Sequence, residues 1–186
     1  MITVEKKKHF RFQMPPKDNE LWAVGAVAVH WSQLETLLHF FMQVLLGKDS
    51  DEFKVFASAG AMEKRLELIK IAVERHVMDP ERGIIIGLID KTKNAKYMRD
   101  RIMHDTWAGS PKSDQDVGKV SVFNWIKPRE PLDWNLDFGS IVRVAQLIDQ
   151  ILIELTVNVG LGPPKPGSPN LMSDALQRIR RKPDQT

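Results

Sequence analysis

Apolar side chains recur every three or four positions along much of the chain, the spacing that places them on one side of an α-helix. A short segment at 51–57 also follows a capping residue, Asp49 or Ser50. Together these features predict an all-α fold, an up-and-down bundle of four main helices. The four long periodic stretches are residues 19–46, 61–77, 81–104 and 140–159.

The same spacing predicts which side of each helix faces inward. On the first helix we expect the inward stripe to begin with Leu21, Val24 and Ala28 and to continue through Trp31, Leu34, Leu38, Phe41 and Leu45. On the helix at 81–104 we expect Ile84 and Leu88 to face the core. These positions test whether periodicity alone fixes the rotation of a helix about its axis.

The stretch at 105–138 differs because glycine, proline and three tryptophans interrupt the helical pattern. Residues 119–125 largely alternate between polar and apolar, which predicts a strand, and residues 106–108 are placed to pair with it. We therefore predict a small β-hairpin insertion before the last helix. The resulting division is a basic N-terminal arm at 1–18, a helical domain at 19–160 and a Pro/Gly-rich basic tail at 161–186.

Composition narrows the function classes. The net charge of +3 resides in the tail, which carries five basic and two acidic residues, so residues 1–160 are formally neutral. A neutral body excludes a general polyanion binder, and RNA contacts must come from local patches. The absence of cysteine excludes disulfides, thiolate zinc sites and cysteine nucleophiles, and it fits a reducing compartment.

The N-terminal residues lack the apolar core of a secretory signal, and no apolar run approaches the roughly 20 residues that span a bilayer. We therefore expect a soluble, cytoplasmic protein with no membrane partner. The chain has no HExxH zinc motif, no GxGxxG or GxxxxGK nucleotide loop and no GxSxG elbow. We expect no metal site and no cofactor.

The segment from Tyr97 to Trp107 carries the candidate chemistry, with Arg99, Asp100 and His104 in the order Arg, polar residue, three further residues, His. This arrangement resembles the signature of the HEPN superfamily, in which an Arg and a polar residue precede a His at the end of a helix. The helical part of the resemblance covers roughly residues 20–160. One position departs from it, because Asp105 stands where members often have glycine and would alter the turn and the charge beside His104.

The resemblance implies a metal-independent endoribonuclease, of the kind that serves as a toxin or defence effector. Single-stranded RNA would be its substrate, an antitoxin protein a partner, and a homodimer would face two signatures across one cleft. The residue types suit that chemistry independently. Histidine titrates near neutral pH and serves as a general base or acid, whereas arginine grips phosphate oxygens with a planar fork.

Helix geometry shapes the expected site. Positions five apart lie about 140° around an ideal helix, so Arg99 and His104 share a face only if the helix ends near residue 103 or a second subunit completes the site. Glu35 and Tyr97 are the further supporting candidates, for orienting the pair and lining the cleft. We expect Arg101 to face outward.

Other interpretations stay open. Arg99 can be a surface residue paired with a neighbouring aspartate, and His104 a helix-terminal histidine stabilised by the helix dipole. At the level of the whole chain, one alternative is a catalytically silent helical module of the same fold that binds RNA or protein. The other is a structural helical-bundle adaptor whose basic tail meets an acidic partner.

Overall fold

The computed structural model of the chain describes residues 18–104, 106–109, 120–123 and 138–159. Its helical character confirms the predicted all-α class, and the periodic stretches predict the long helices to within a few residues at each end. The helices are α1 (Asp18–Leu46), α2 (Asp51–Ser58), α3 (Met62–His76), α4 (Glu81–His104) and α5 (Phe138–Val159).

A single core joins these helices. On α1 the buried stripe includes Ala23, Val27, Trp31 and Leu34, spaced three or four apart. Helix α1 packs most extensively on α5, α4 packs on α5, and α3 packs on α4. The core therefore lies between an α1/α5 pair and an α3/α4 pair.

The expected inward faces are only partly correct. Leu21 is exposed, and Ala23 and Val27 take the buried positions at the start of α1. On α4, Ile84 is 42% exposed and Ile85 is buried, whereas Leu88 is buried as expected. Apolar residues surround both helices at these points, so periodicity does not fix which of them turns inward at the start of each helix. Further along α1, the other stripe residues are buried as the spacing predicts, namely Trp31, Leu34, Leu38, Phe41 and Leu45.

The count of four helices is wrong because α2 is a helix of its own. Gly47 ends α1 with a backbone φ of +86°, a conformation that side chains disfavour. The Ser50 hydroxyl then accepts a hydrogen bond of 3.1 Å from the Phe53 backbone and caps α2. Phe53 and Phe56 hold α2 in place by packing against His39 of α1.

The extra helix changes the direction of the elements after it. One groove on the α1/α5 seam joins Trp22 to Val142, and the next joins Phe40 to Val157, so α1 and α5 run parallel. In an up-and-down bundle of four helices the first and last would be antiparallel. The short α2 therefore supplies the additional reversal of the chain.

Beyond the helices, strand β1 (Thr106–Gly109) pairs antiparallel with β2 (Val120–Phe123), with Thr106 opposite Phe123. The rest of the predicted insertion at 105–138 lies outside the described residues, as do the arm before residue 18 and the tail after residue 159. The insertion as a unit thus stays a prediction. Among the described residues, no helix combines the length and apolar character needed to cross a bilayer.

Candidate active site

The last turn of α4 brings the two motif residues together within one chain. The Arg99 guanidinium donates through Nη1 to His104 Nε2 at 3.1 Å. A guanidinium only donates hydrogen bonds, so Nε2 of His104 is the acceptor in this contact. His104 is the exposed last residue of α4, which leaves this contact open to solvent.

This contact corrects the expectation that the two residues share no face within a helix that continues to residue 104. Their Cα positions do differ by about 140° around an ideal helix. The long arginine side chain nevertheless reaches around the final turn to the ring, and α4 does extend to His104. A second subunit is therefore not needed to bring the two groups into contact.

Asp100 lies at the centre of a polar cluster that holds Arg99. One carboxylate oxygen accepts from Arg99 Nη1 at 3.0 Å, and the other accepts from Lys96 Nζ at 2.6 Å. Lys96 also donates to Glu63 of α3 at 2.9 Å. The cluster thus ties the end of α4 to the first turn of α3.

The electrostatics of the cluster follow from these contacts. Burial alone would raise the pKa of the Asp100 carboxyl, but hydrogen bonds from Lys96 and Arg99 outweigh it and hold that pKa below its ordinary value. Burial likewise acts to lower the pKa of Lys96, and its hydrogen bonds to Asp100 and Glu63 raise it overall. Both groups therefore stay charged near neutral pH.

Helix α1 supports the guanidinium from the side. The Arg99 Cζ atom lies 5.5 Å from the centre of the Trp31 ring, a cation–π contact. The indole Nε1 of Trp31 in turn donates to Glu35 Oε1 at 2.7 Å. Glu35 was predicted to orient Arg99 or His104 directly; the structure places it one contact further away, where it orients Trp31.

Three other residues considered in the sequence analysis lie close to the motif residues in the chain. Tyr97 is 43% exposed and lies about 160° from Arg99 around an ideal helix, away from the side on which Arg99 meets Trp31. Asp105 lies outside the described residues. Arg101 was expected to face outward, but it is 3% exposed. It lies about 120° from Ala95 in the core stripe of α4, so the stripe does not predict its burial.

Sequence reasoning missed Lys96, Glu63 and the role of Trp31. Lys96 and Asp100 are four positions apart on a helix, the spacing of a paired lysine and aspartate, and this signal was available. Glu63 reaches the cluster from another helix, and no local pattern marks it. Two cations and two carboxylates meet here, so the cluster is formally neutral around Arg99.

Within the described ranges, no three histidine, aspartate or glutamate side chains converge in a way that could hold a metal ion. No family model, curated protein or solved structure matches the chain. The case for a function therefore depends on the motif residues and on the geometry around them.

Proposed function

We propose that the chain is a metal-independent endoribonuclease of the HEPN type, with Arg99 and His104 as its catalytic residues. The observation that supports this most is the 3.1 Å contact between the Arg99 guanidinium and Nε2 of the solvent-exposed His104 ring. A phosphate-binding cation and an imidazole nitrogen that accepts a hydrogen bond thus stand side by side. The HEPN-like order of these residues in the sequence supports the assignment to that type.

The proposed reaction is an internal transfer of the RNA phosphate. The 2′-hydroxyl loses its proton to His104 Nε2, and the 2′-oxygen forms a bond to phosphorus. The bond from phosphorus to the 5′-oxygen breaks, and this oxygen takes a proton from a protonated imidazole or from water. Arg99 binds the non-bridging phosphate oxygens, where negative charge develops. The products are a 2′,3′-cyclic phosphate and a 5′-hydroxyl.

The neighbouring groups would prepare Arg99 for this role. Asp100 and the Trp31 ring fix the guanidinium from two sides, which limits the entropy lost when phosphate binds. Lys96 shares the Asp100 carboxylate, so Asp100 neutralises Arg99 less completely than an unshared partner would. An incoming phosphate would replace His104 as the acceptor for Nη1 and free the ring nitrogen to act as base.

The proposal extends to biological context. Single-stranded RNA is the proposed substrate, because an exposed site at a helix end can reach the 2′-hydroxyl of an unpaired strand. A role as a cytoplasmic toxin or defence effector, held in check by an antitoxin protein, belongs to the same proposal. A homodimer is also part of this proposal.

One observation favours a second candidate, a catalytically silent module of the same fold. The Arg99 charge is balanced within its own cluster, because Lys96 and Arg99 face Glu63 and Asp100. A cluster without net charge attracts RNA weakly. In this alternative Arg99 contributes to binding, and His104 has no chemical role.

The test is incubation of the purified full chain with single-stranded RNA in the presence of EDTA. We expect cleavage that leaves 2′,3′-cyclic phosphate and 5′-hydroxyl ends, and we expect His104→Ala to abolish it. The matched control is His76→Ala, because His76 is likewise the last residue of its helix and should not affect cleavage. Circular dichroism should show the same helix content for both variants.

The possible outcomes separate the candidates. Full cleavage by His104→Ala, or products with 5′-phosphate ends, would refute the proposed mechanism. A wild-type chain that binds RNA without cutting it, and loses affinity on Arg99→Ala substitution, would assign the chain to the silent module. A chain that neither binds nor cuts single-stranded RNA would exclude both candidates.

A further inference from the structure

The outward side of the α1/α5 pair is a largely apolar surface that no described residue covers, with Ser32, Gln33, Thr36 and Thr156 as its uncharged polar members. A groove of about 610 Å³ runs along the seam between the two helices. Phe40 on α1 and Ile153 on α5 border it and are 48% and 49% exposed, and Val157 extends it with still greater exposure. A second groove of about 210 Å³ continues along the same seam past Trp22. We refer to this surface, from Trp22 to Phe40 and from Val142 to Val157, as the seam face.

The seam face is nearly free of charge. Between Leu21 and Leu46, Glu35 is the only aspartate, glutamate, lysine or arginine of α1, and Glu35 bonds Trp31 on the opposite side of the helix. Asp149 is the one charged side chain that lines the larger groove, and its carboxylate lies 3.5 Å from Nδ1 of His30. By contrast, exposed charges line the outer side of α3, namely Lys64, Glu67, Glu74 and Arg75.

The dimensions of the seam face match those of a small protein interface. It extends for about 18 residues along each helix, or about 27 Å at 1.5 Å per residue, and two packed helices are about 20 Å wide. Each copy thus offers on the order of 500–600 Å², and a symmetric pair would bury about 1,000–1,200 Å² in total. That area reaches the lower end of the range for specific interfaces.

We infer that the seam face is a two-fold interface between two copies of this chain. In such an interface each patch meets its own equivalent, so any strong charge would meet its own sign. A surface that is apolar and nearly uncharged suits this self-pairing, and depletion of charge with exposed aromatic residues characterises interface cores. A membrane surface is the weaker fit, since interfacial helices carry lysine and arginine on their polar side, and the exposed side of α1 has neither.

This assignment predicts where the candidate active sites lie in the dimer. Phe40 lies about 180° from Trp31 around an ideal helix, and Arg99 packs against Trp31. A dimer through the seam face therefore leaves each Arg99–His104 pair on the far side of α1, outside the interface. Each site would act on its own, unlike the shared cleft that the HEPN resemblance implies.

The test measures association of the full chain by analytical ultracentrifugation over a range of protein concentrations, without RNA. We expect a dimer at micromolar concentration. Ile153→Glu and Phe40→Glu should each weaken dimerisation by at least about 100-fold, because each substitution enters a symmetric interface twice. Ile84→Glu on α4 is the matched control, since Ile84 has similar exposure and lies away from the seam face. It should dimerise as the wild type does.

Three outcomes would overturn the inference. The first is a wild-type monomer at all concentrations, and the second is a dimer that both seam-face variants leave intact. The third is a monomer that binds phospholipid vesicles through Phe40 and Ile153. Unchanged helix content by circular dichroism, with cooperative unfolding, would show that the monomeric variants lost an interface and not their fold. Because this experiment contains no RNA, a result against the dimer does not bear on the proposed cleavage. A failure to cleave RNA likewise does not bear on the dimer.

Discussion

Two of the described helices end in histidine, and their ends are built from similar residue types with different contacts. At the end of α3, Glu52 of α2 lies between Arg75 and His76, with contacts of 3.2 and 3.3 Å. At the end of α4, Arg99 contacts His104 directly, and Asp100 binds Arg99 on its other side. A carboxylate faces the histidine in the first case, and a guanidinium faces it in the second.

The difference teaches why residue type alone does not identify a catalytic pair. A carboxylate beside a histidine can only accept a hydrogen bond from the ring, whereas a guanidinium can only donate one to it. The surroundings differ too, because the Arg75 side chain is 64% exposed and Arg99 is 23% exposed against Trp31. The α3 end has the properties of a surface ion-pair cluster, and the α4 end holds the partly buried arginine of the proposed phosphate site.

The largest effect that separates the two ends is expected from their arginines. Arg99→Ala should lower RNA cleavage by about 10²–10³-fold, because it removes the cation that stabilises the developing phosphate charge. Arg75→Ala should change the rate by less than about twofold, since exposed ion pairs contribute little. Steady-state kinetics on a short single-stranded RNA would measure both. Equal effects of the two substitutions would remove the distinction between the helix ends.

A smaller effect is expected from the two carboxylates, measured as stability. Asp100→Asn should lower the free energy of unfolding by about 1 kcal/mol near neutral pH, and Glu52→Gln by less than about 0.5 kcal/mol. The lowered pKa of Asp100 means that its contribution is complete above its ordinary value of 3.8 and is lost as pH falls through the folded-state value.

Urea unfolding at neutral and at acidic pH would test this sign. The difference in free energy of unfolding between wild type and Asp100→Asn should become smaller in acid, because protonation removes the charge that the substitution removes at neutral pH. A difference that becomes larger in acid would mean that the Asp100 carboxyl is not stabilised in its charged form. Unfolding of the Glu52→Gln variant at the same two pH values is the control.

The smallest expected effect concerns the support beneath Arg99, which Arg75 lacks. Trp31→Phe removes the indole donor to Glu35 and weakens the cation–π contact, which is worth about 0.5–1 kcal/mol or a two- to fivefold loss of cleavage. Glu35→Gln keeps an acceptor for the indole and should have less effect than Trp31→Phe. A larger loss in Glu35→Gln would mean that the carboxylate acts on the pair by a route other than Trp31.

Much of the fold could be predicted because helix length and helix ends are local properties. Apolar spacing marks the length of α1. Gly47 then marks its end and Ser50 marks the start of α2, three positions later. The direction of α5 relative to α1 could not be predicted in this way, since it depends on whether the short α2 counts as a reversal. The rotation of α1 was predicted from Trp31 to Leu45, where the expected stripe is buried, but not at the start of the helix, because Leu21 and Ala23 are both apolar and only tertiary packing decides between them.

The candidate site was likewise predicted only in part. Arg99, Asp100 and His104 lie within six positions, so the sequence motif marks all three. Their contact within one chain was not foreseen, because helix angles describe Cα positions and not the reach of an arginine. Glu63 comes from another helix, where neither periodicity nor motif could indicate it.

The pairing of α1 with α5 also has a consequence for how the chain folds. His30 and Asp149, which meet across the seam, lie more than a hundred positions apart in the sequence. Closing so long a loop is entropically costly, and folding slows as such distant contacts come to dominate. Until α5 docks, both sides of the nearly uncharged α1 stay in contact with water, and aggregation competes with folding. The refolding yield should therefore fall as protein concentration rises, and a chain interrupted before α5 should depend on chaperones to stay dispersed.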